Sequence, residues 1–303
     1  IAVFAPQSGK TPFEAVVDAQ PQDVALVMRS GAALFGDDAV VSALTGGSGS
    51  TCDQVDVCST MKRACVMSEI STTYAALGSG QPGDIALLHG CCHNPTGADL
   101  GEDQWREVAR VVVERGLVPF VDIAYQGFGR GLDEDAFGVR LMLETCDEVI
   151  VAQSCDKNFS VYRDRVGSLW IKSPSRETTA NAMMLVFRIA REMWSMPPDH
   201  GAACVRIVLD DPELKERWLV ELAAMRDRIN AVRQRIAAAD PRLAFIGRQY
   251  GMFSMLPLSK EQVLKLRSDH AIYMAESGRF NVVGMGDAQI DRFIAAVVEA
   301  MDS

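Results

Sequence analysis

Apolar positions along the middle of the chain alternate between two periods. Ile85, Ala86, Leu87 and Leu88 form a near-continuous run from Asp84 to His89 that stops at the turn-rich His93-Asn94-Pro95-Thr96-Gly97. That is the pattern of a buried strand entering a loop. Trp105, Val108, Val111 and Val112 then recur at helical spacing over 102–115 until Gly116, and 117–124 returns to a β-rich apolar run. A second helix over 133–145 and a third strand over 148–154 complete a βαβαβ unit, which requires parallel pairing and right-handed crossovers. Beyond 175 the pattern predicts long helices, including 211–238, followed by short strands near 243–248, 252–256 and 272–275. The segment 50–70 has neither a clear period nor clear turn chemistry, so no element is assigned to it.

This pattern predicts an α/β fold with a doubly wound, mostly parallel sheet and a smaller α+β domain at the C-terminal end. A chain of 303 residues is long enough for both. The expected division is a large domain over 13–224 and a small one over 225–303, with 1–12 packing on the latter. A hydrophobic share of 48% beside 23% charged residues is that of a globular protein, and no stretch is apolar for long enough to cross a bilayer. The formal charge of -10 opposes a phosphate backbone, so neither nucleic acid nor membrane is an expected partner. Eight cysteines scattered through helical and apolar segments read as free thiols, which places the chain in a reducing, cytoplasmic compartment. Because the sequence opens at Ile1 in apparent mid-strand, localisation rests on that cysteine usage alone.

In an open parallel sheet, ligands sit beyond the carboxyl ends of the strands. Strand by strand, that edge receives Asn94, then Asp122 and Tyr125, then Ser154 and Lys157. Asp122 interrupts the apolar Pro119–Ala124, and a carboxylate drawn out of water there needs a cation. A lone lysine is most often a solvated one, and a lone strand-end aspartate is as often a cap or structural ion pair. Together, however, a lysine, an acid, an amide and a phenol are what pyridoxal 5'-phosphate requires: a Schiff-base amine, a partner for its ring nitrogen and donors to its phenolic oxygen. Arg165 and the glycine-rich Thr45-Gly46-Gly47-Ser48-Gly49-Ser50 could take a phosphate, although the glycine run alone reads equally as a flexible turn. His89-Gly90-Cys91-Cys92-His93 is rejected as a zinc site because adjacent residues in an extended segment point apart. No G-x-S-x-G elbow supports a serine hydrolase.

Several segments, in order, closely resemble motifs of the aspartate and aromatic amino acid aminotransferases. They are Leu88–Gly97, Asp122–Phe128, Ser154–Phe159 with Arg165-Val166-Gly167, Trp194–Pro198, Gly251–Ser254 and Ser277-Gly278-Arg279, with Gly9–Pro12 near the start. The resemblance implies a pyridoxal-phosphate-dependent transferase of fold type I. It implies an enzyme that moves an amino group from aspartate, glutamate or aromatic amino acids to a 2-oxo acid such as 2-oxoglutarate through pyridoxamine phosphate. By position, Lys157 would hold the cofactor and shuttle the proton. Asp122 would face the ring nitrogen, Asn94 and Tyr125 the phenolic oxygen, and Gly47, Ser48, Ser154 and Arg165 the phosphate. Arg279 would clamp the substrate α-carboxylate with Asn94 beside it. Arg191, with Arg188 one turn earlier as the near alternative, would take a distal carboxylate across a homodimer interface. No metal is implied. The chain departs from the family pattern between 50 and 84, which nothing in the family matches, and at Asp156, where a small residue is usual. A catalytically impaired, cofactor-binding protein of the same fold is the alternative.

Overall fold

The computed structural model describes residues 80–302 throughout, residues 77 and 78, and the backbone of five strands nearer the start. The chain divides into two compact units, 1–84 and 85–303. In the first, β1 (Ala2–Phe4), β2 (Val24–Arg29), β3 (Ala32–Asp37), β4 (Asp53–Val57) and β5 (Thr60–Ala64) form one sheet in the order β1-β2-β3-β5-β4. Every pairing in it is antiparallel. The unassigned segment 50–70 therefore contributes β4 and β5 to this sheet.

The second unit is built on β6 (Ile85–His89), β7 (Val118–Ile123) and β8 (Val149–Ser154), paired in parallel, with β9 (Gly167–Lys172) added antiparallel to β8. The expected βαβαβ unit is present, with α1 (Glu102–Arg115) and α3 (Phe137–Thr145) as its crossover helices. Both crossovers are right-handed in such a unit, so both helices cover the same face of the sheet. Their contact is made by Trp105, 2% exposed, lying against Gly138, where a Cβ would come within 2.4 Å of the indole. Val108 and Val112 of α1 and Val121 of β7 are fully buried beneath them. Gly116 closes α1 in a left-handed conformation (φ 64°), which a residue without a Cβ adopts at no steric cost.

The helix expected over 133–145 is divided at Ala136 into α2 (Leu132–Asp135) and α3. The cause is Asp135. Its buried carboxylate accepts hydrogen bonds from the backbone N–H groups of Gly127, Gly129 and Arg130 and so fixes the loop that follows β7. β9 was not anticipated, because its exposed, short alternation carries little periodic signal. It pairs from Ser154↔Gly167 to Val149↔Lys172, so the segment between β8 and β9 is a loop with both ends pinned.

Long helices follow, as expected: α4 (Arg176–Trp194), α5 (His200–Asp210) and α6 (Pro212–Ala239). Two expected strands are corrected. Residues 243–248 lie in a 3₁₀ helix, Pro241–Arg248, because Asp240 caps the N–H of Arg242 and Leu243 and Ile246 are buried at three-residue spacing. No strand forms over 272–275. The partner of β10 (Phe253–Met255) is β11 (Arg279–Asn281), beyond the turn at Gly278. α7 (Lys260–His270) and α8 (Asp287–Met301) complete the α+β portion. Among the described residues, no helix is long and apolar enough to cross a membrane.

The Trp105–Gly138 contact leaves no room for a side chain at 138. Gly138→Val is expected to destabilise the unit by roughly 1–3 kcal/mol through overpacking, read as a lower urea midpoint at unchanged slope.

Candidate functional site

Parallel pairing of β6, β7 and β8 sends their carboxyl ends to one edge, and the predicted residues follow that geometry. His89 pairs with Asp122, and Asp122 with Ala152, across adjacent strands. The loop after β6 carries Asn94, joined to Pro95 by a cis peptide bond. Asp99 holds this loop from its far end: its carboxylate accepts the backbone N–H groups of Cys92 and His93 at 2.7 and 2.8 Å.

Tyr125 is the residue around which the site is gathered. Burial pushes its phenol above the ordinary value. A hydrogen bond with the Asn94 side chain and the charge of Arg279 act in the opposite sense, while Tyr162 and Asp122 add to the rise. These four groups therefore surround one phenol. The ammonium of Lys157 lies 5.2 Å from the Tyr125 ring centroid and 5.4 Å from that of Tyr162. Phe253 meets Tyr125 edge-on at 6.2 Å, and the Arg279 guanidinium lies over the Phe253 ring, 4.2 Å from its centroid. Asn94, Asp122, Lys157 and Arg279, predicted from four separate motifs, thus lie around Tyr125. Neither the Lys157 amine nor the Asp122 carboxylate forms a hydrogen bond or ion pair with any described residue.

The Lys157 loop is held by α6. Phe159 stacks on Trp218 at 4.4 Å with planes 8° apart, the Trp218 indole N–H donates to the carbonyl of Asn158 at 2.7 Å, and the Asn158 amide donates to the carbonyl of Gln126. The pinned ends bring Ser154 and Arg165 to the same loop, where Asp156 touches both. Its backbone N–H donates to Ser154 Oγ and its buried carboxylate accepts from Arg165.

Gly47 and Ser48 lie outside the described residues. Arg191 is exposed on α4, and its guanidinium pairs with no described residue. Its neighbour Arg188 is engaged with Glu192. Two contributors were not foreseen. Arg233, 1% exposed, has no carboxylate in contact and gives its donors to the carbonyls of Tyr250, Gly251 and Phe253 and to Gln249 Oε1. Burial lowers its pKa to about 10, with Cys92 and Asp99 countering. Because Gly97, in a left-handed conformation, also packs on this guanidinium and on the carbonyl of Phe253, Arg233 ties the Asn94 loop to β10 and hence to Arg279. His93 is the other. Its Nδ1 lies 2.7 Å from Thr96 Oγ1 and its ring 4.3 Å from His89, and burial followed by the His89 charge lowers its pKa to about 4. No sequence signal marks either role.

Ligand atoms of Cys91, Cys92 and Asp135 approach within 4.8 Å of one another. Asp135 already serves three backbone donors, and the Cys92 thiol is pushed up by its hydrogen bond with Cys91 and by burial, so this trio is a packing feature.

Two outcomes follow for Arg233 and His93. Arg233→Met leaves three backbone carbonyls without a donor and is expected to lower unfolding free energy by about 3 kcal/mol or more in urea melts. For His93 the native state resists protonation while the unfolded chain binds a proton near 6.5. Its share of stability is therefore complete above about 6.5 and is lost as pH falls toward about 4. His93→Gln should flatten the dependence of the urea midpoint over that window.

The family model for aminotransferase class I and II matches residues 29–297. A tyrosine aminotransferase of Rhizobium meliloti (strain 1021) is 48% identical over 219 residues, which are 71% of this chain and 56% of that protein. An aspartate aminotransferase of Pseudomonas aeruginosa is 43% identical over 72% of this chain and 56% of its own length. Among solved structures, the aromatic-amino-acid aminotransferase from Burkholderia pseudomallei covalently bound to pyridoxal phosphate superposes with a TM-score of 0.71 at 43% identity, over 75% of this chain and 58% of that one. The chain thus spans somewhat more than half the length of the relatives it matches. With the parallel sheet and its gathered edge, these similarities make the chain a member of the class I and II aminotransferase family.

Proposed function

We propose that the protein is a pyridoxal-5'-phosphate-dependent aminotransferase acting on aspartate, glutamate or aromatic amino acids with a 2-oxo acid such as 2-oxoglutarate as acceptor. The observation that carries this reading is the convergence of Lys157, Asn94, Asp122 and Arg279 on Tyr125. The names of the relatives favour an enzyme over a cofactor-binding remnant.

The residues fit the cofactor. Asp122 is a half-buried carboxylate with no cation among the described residues, and Lys157 is a half-buried amine held against two phenol rings with no carboxylate partner. Both lack the partner that a protonated pyridine and an aldehyde would provide. When bound, pyridoxal phosphate supplies that aldehyde and an electron-accepting ring.

In this reading Lys157 would be the residue that holds the cofactor through its aldehyde, and its free amine would be the base that takes and returns the substrate Cα proton. Asp122 keeps a proton on the ring nitrogen. Asn94 and Tyr125 would donate to the phenolic oxygen, and burial, which raises the Tyr125 pKa, keeps that phenol in its donating form. Ser154 and Arg165, with Gly47 and Ser48, would receive the phosphate. Arg279, planar and stacked on Phe253, presents its fork to the α-carboxylate beside Asn94.

Arg191 would serve the distal carboxylate in a second copy of the chain. Apolar side chains of α4 support such a homodimer: Met184, Phe187 and Met193 are 64%, 65% and 70% exposed. Apolar exposure on that scale marks an association surface. Within 85–303 we place the change from large to small domain near 224/225, inside α6. The five described cysteines, all free, fit a cytoplasmic setting.

Purified protein with added cofactor should show a visible absorbance band and ping-pong turnover of an aromatic amino acid or aspartate with 2-oxoglutarate. Lys157→Ala should remove the band and lower kcat by roughly 10²-fold or more, and Arg279→Ala should raise KM roughly 10-fold or more. Turnover that survives intact in Lys157→Ala would contradict the reading.

A further inference from the structure

We infer that Asp156 is an internal competitor for the cofactor phosphate, so that this chain binds pyridoxal phosphate more weakly than its remaining donor set would allow. The inference rests on the reading of the site given above and concerns how strongly that site is filled.

Asp156 is 2% exposed and immediately precedes Lys157. It is bonded to both described residues proposed to receive the phosphate. Its backbone N–H donates to Ser154 Oγ at 3.1 Å, and its carboxylate accepts from Arg165 Nη1 and from the backbone N–H of Val166, the latter at 2.8 Å. Arg165 is held toward this pair by a left-handed backbone (φ 55°) and by a further bond from Nη1 to the carbonyl of Tyr162. Its guanidinium lies 5.4 Å from the Tyr162 ring centroid, the same distance as the Lys157 ammonium. The cation that balances Asp156 and the amine that would take the aldehyde therefore share one ring, Tyr162.

A buried carboxylate cannot give up its one cation among the described residues without large cost, and a phosphate near −2 would have to share that positive charge with it. Two anions then lie within a few ångströms of one guanidinium, and their repulsion opposes binding of the phosphate end. Neutralising position 156 without changing its shape removes the repulsion, keeps an acceptor for Val166 N–H and releases the whole Arg165 fork.

The test compares wild type, Asp156→Asn and Asp156→Ser as full chains in titrations with pyridoxal 5'-phosphate and with pyridoxal, which has no phosphate. Binding is read by tryptophan fluorescence and by visible absorbance. Asp156→Asn is expected to lower the Kd for the phosphate ester at least 10-fold and to leave that for pyridoxal within 2-fold. Asp156→Ser should show the same selectivity and serves if the amide variant does not fold. An unchanged or weaker affinity for the ester, or an equal gain for both probes, overturns the inference. Adding Lys157→Ala to each protein separates this from the functional reading. A phosphate-dependent gain that persists with a Lys157-independent band leaves the inference standing and removes the proposed role of Lys157. Lys157-dependent binding with no effect at 156 does the reverse.

Discussion

Three strands that run in the same direction must deliver their carboxyl ends to the same edge, and everything proposed for this protein depends on that constraint. β6, β7 and β8 end in the loops that carry Asn94, Tyr125 and Lys157, with Asp122 near the end of β7. Apart from Asp122 and Tyr125, which share one motif, these residues lie far apart in sequence. The register of the ladder, set by buried valines and by the α1–α3 layer, brings these loops to one edge, and bonds between the loops, such as the Asn158 amide on the Gln126 carbonyl, hold them together.

The second requirement is that this edge keep its shape, and it is met by polar groups beneath it. Asp99 grips the backbone before Asn94, Asp135 grips the loop after β7, Trp218 grips the loop of Lys157, and Arg233 joins the Asn94 loop to the strand under Arg279. Each is a hydrogen-bonded group, largely withdrawn from water, whose partners are mostly backbone atoms. That economy explains why the site side chains point at one another instead of being consumed by structural bonds. Asp156 departs from this arrangement, because its partner Arg165 is itself a candidate site residue.

Much of this was legible in the sequence because strong periodicity and strand-end polarity are local signals. The alternation of apolar runs with Trp105, Val108, Val111 and Val112 fixed the βαβαβ core to within a few residues, and Lys157, Asp122 and Asn94 stood out as chemistry placed where a parallel sheet exposes it. What escaped was decided by tertiary partners. β9 exists because β8 offers an edge, and its exposed residues carry no alternating signature. Residues 243–248 have the composition of a strand, yet the Asp240 cap and Pro241 start a 3₁₀ turn. Tyr273 lies in a stretch that reads as β, whereas the turn at Gly278 gives β10 the residues after it. Arg233, amid a charge-rich helix, is indistinguishable by sequence from its solvated neighbours, and only the three carbonyls that meet it show its role.

The central claim is that one amine, Lys157, is presented to an aldehyde by this edge. Borohydride reduction of the protein incubated with pyridoxal phosphate, followed by peptide mass spectrometry, tests it most directly. The account predicts a single stoichiometric phosphopyridoxyl adduct on the peptide containing Lys157. Adducts spread over exposed lysines such as Lys215, Lys260 and Lys265, with Lys157 unmodified, would contradict it.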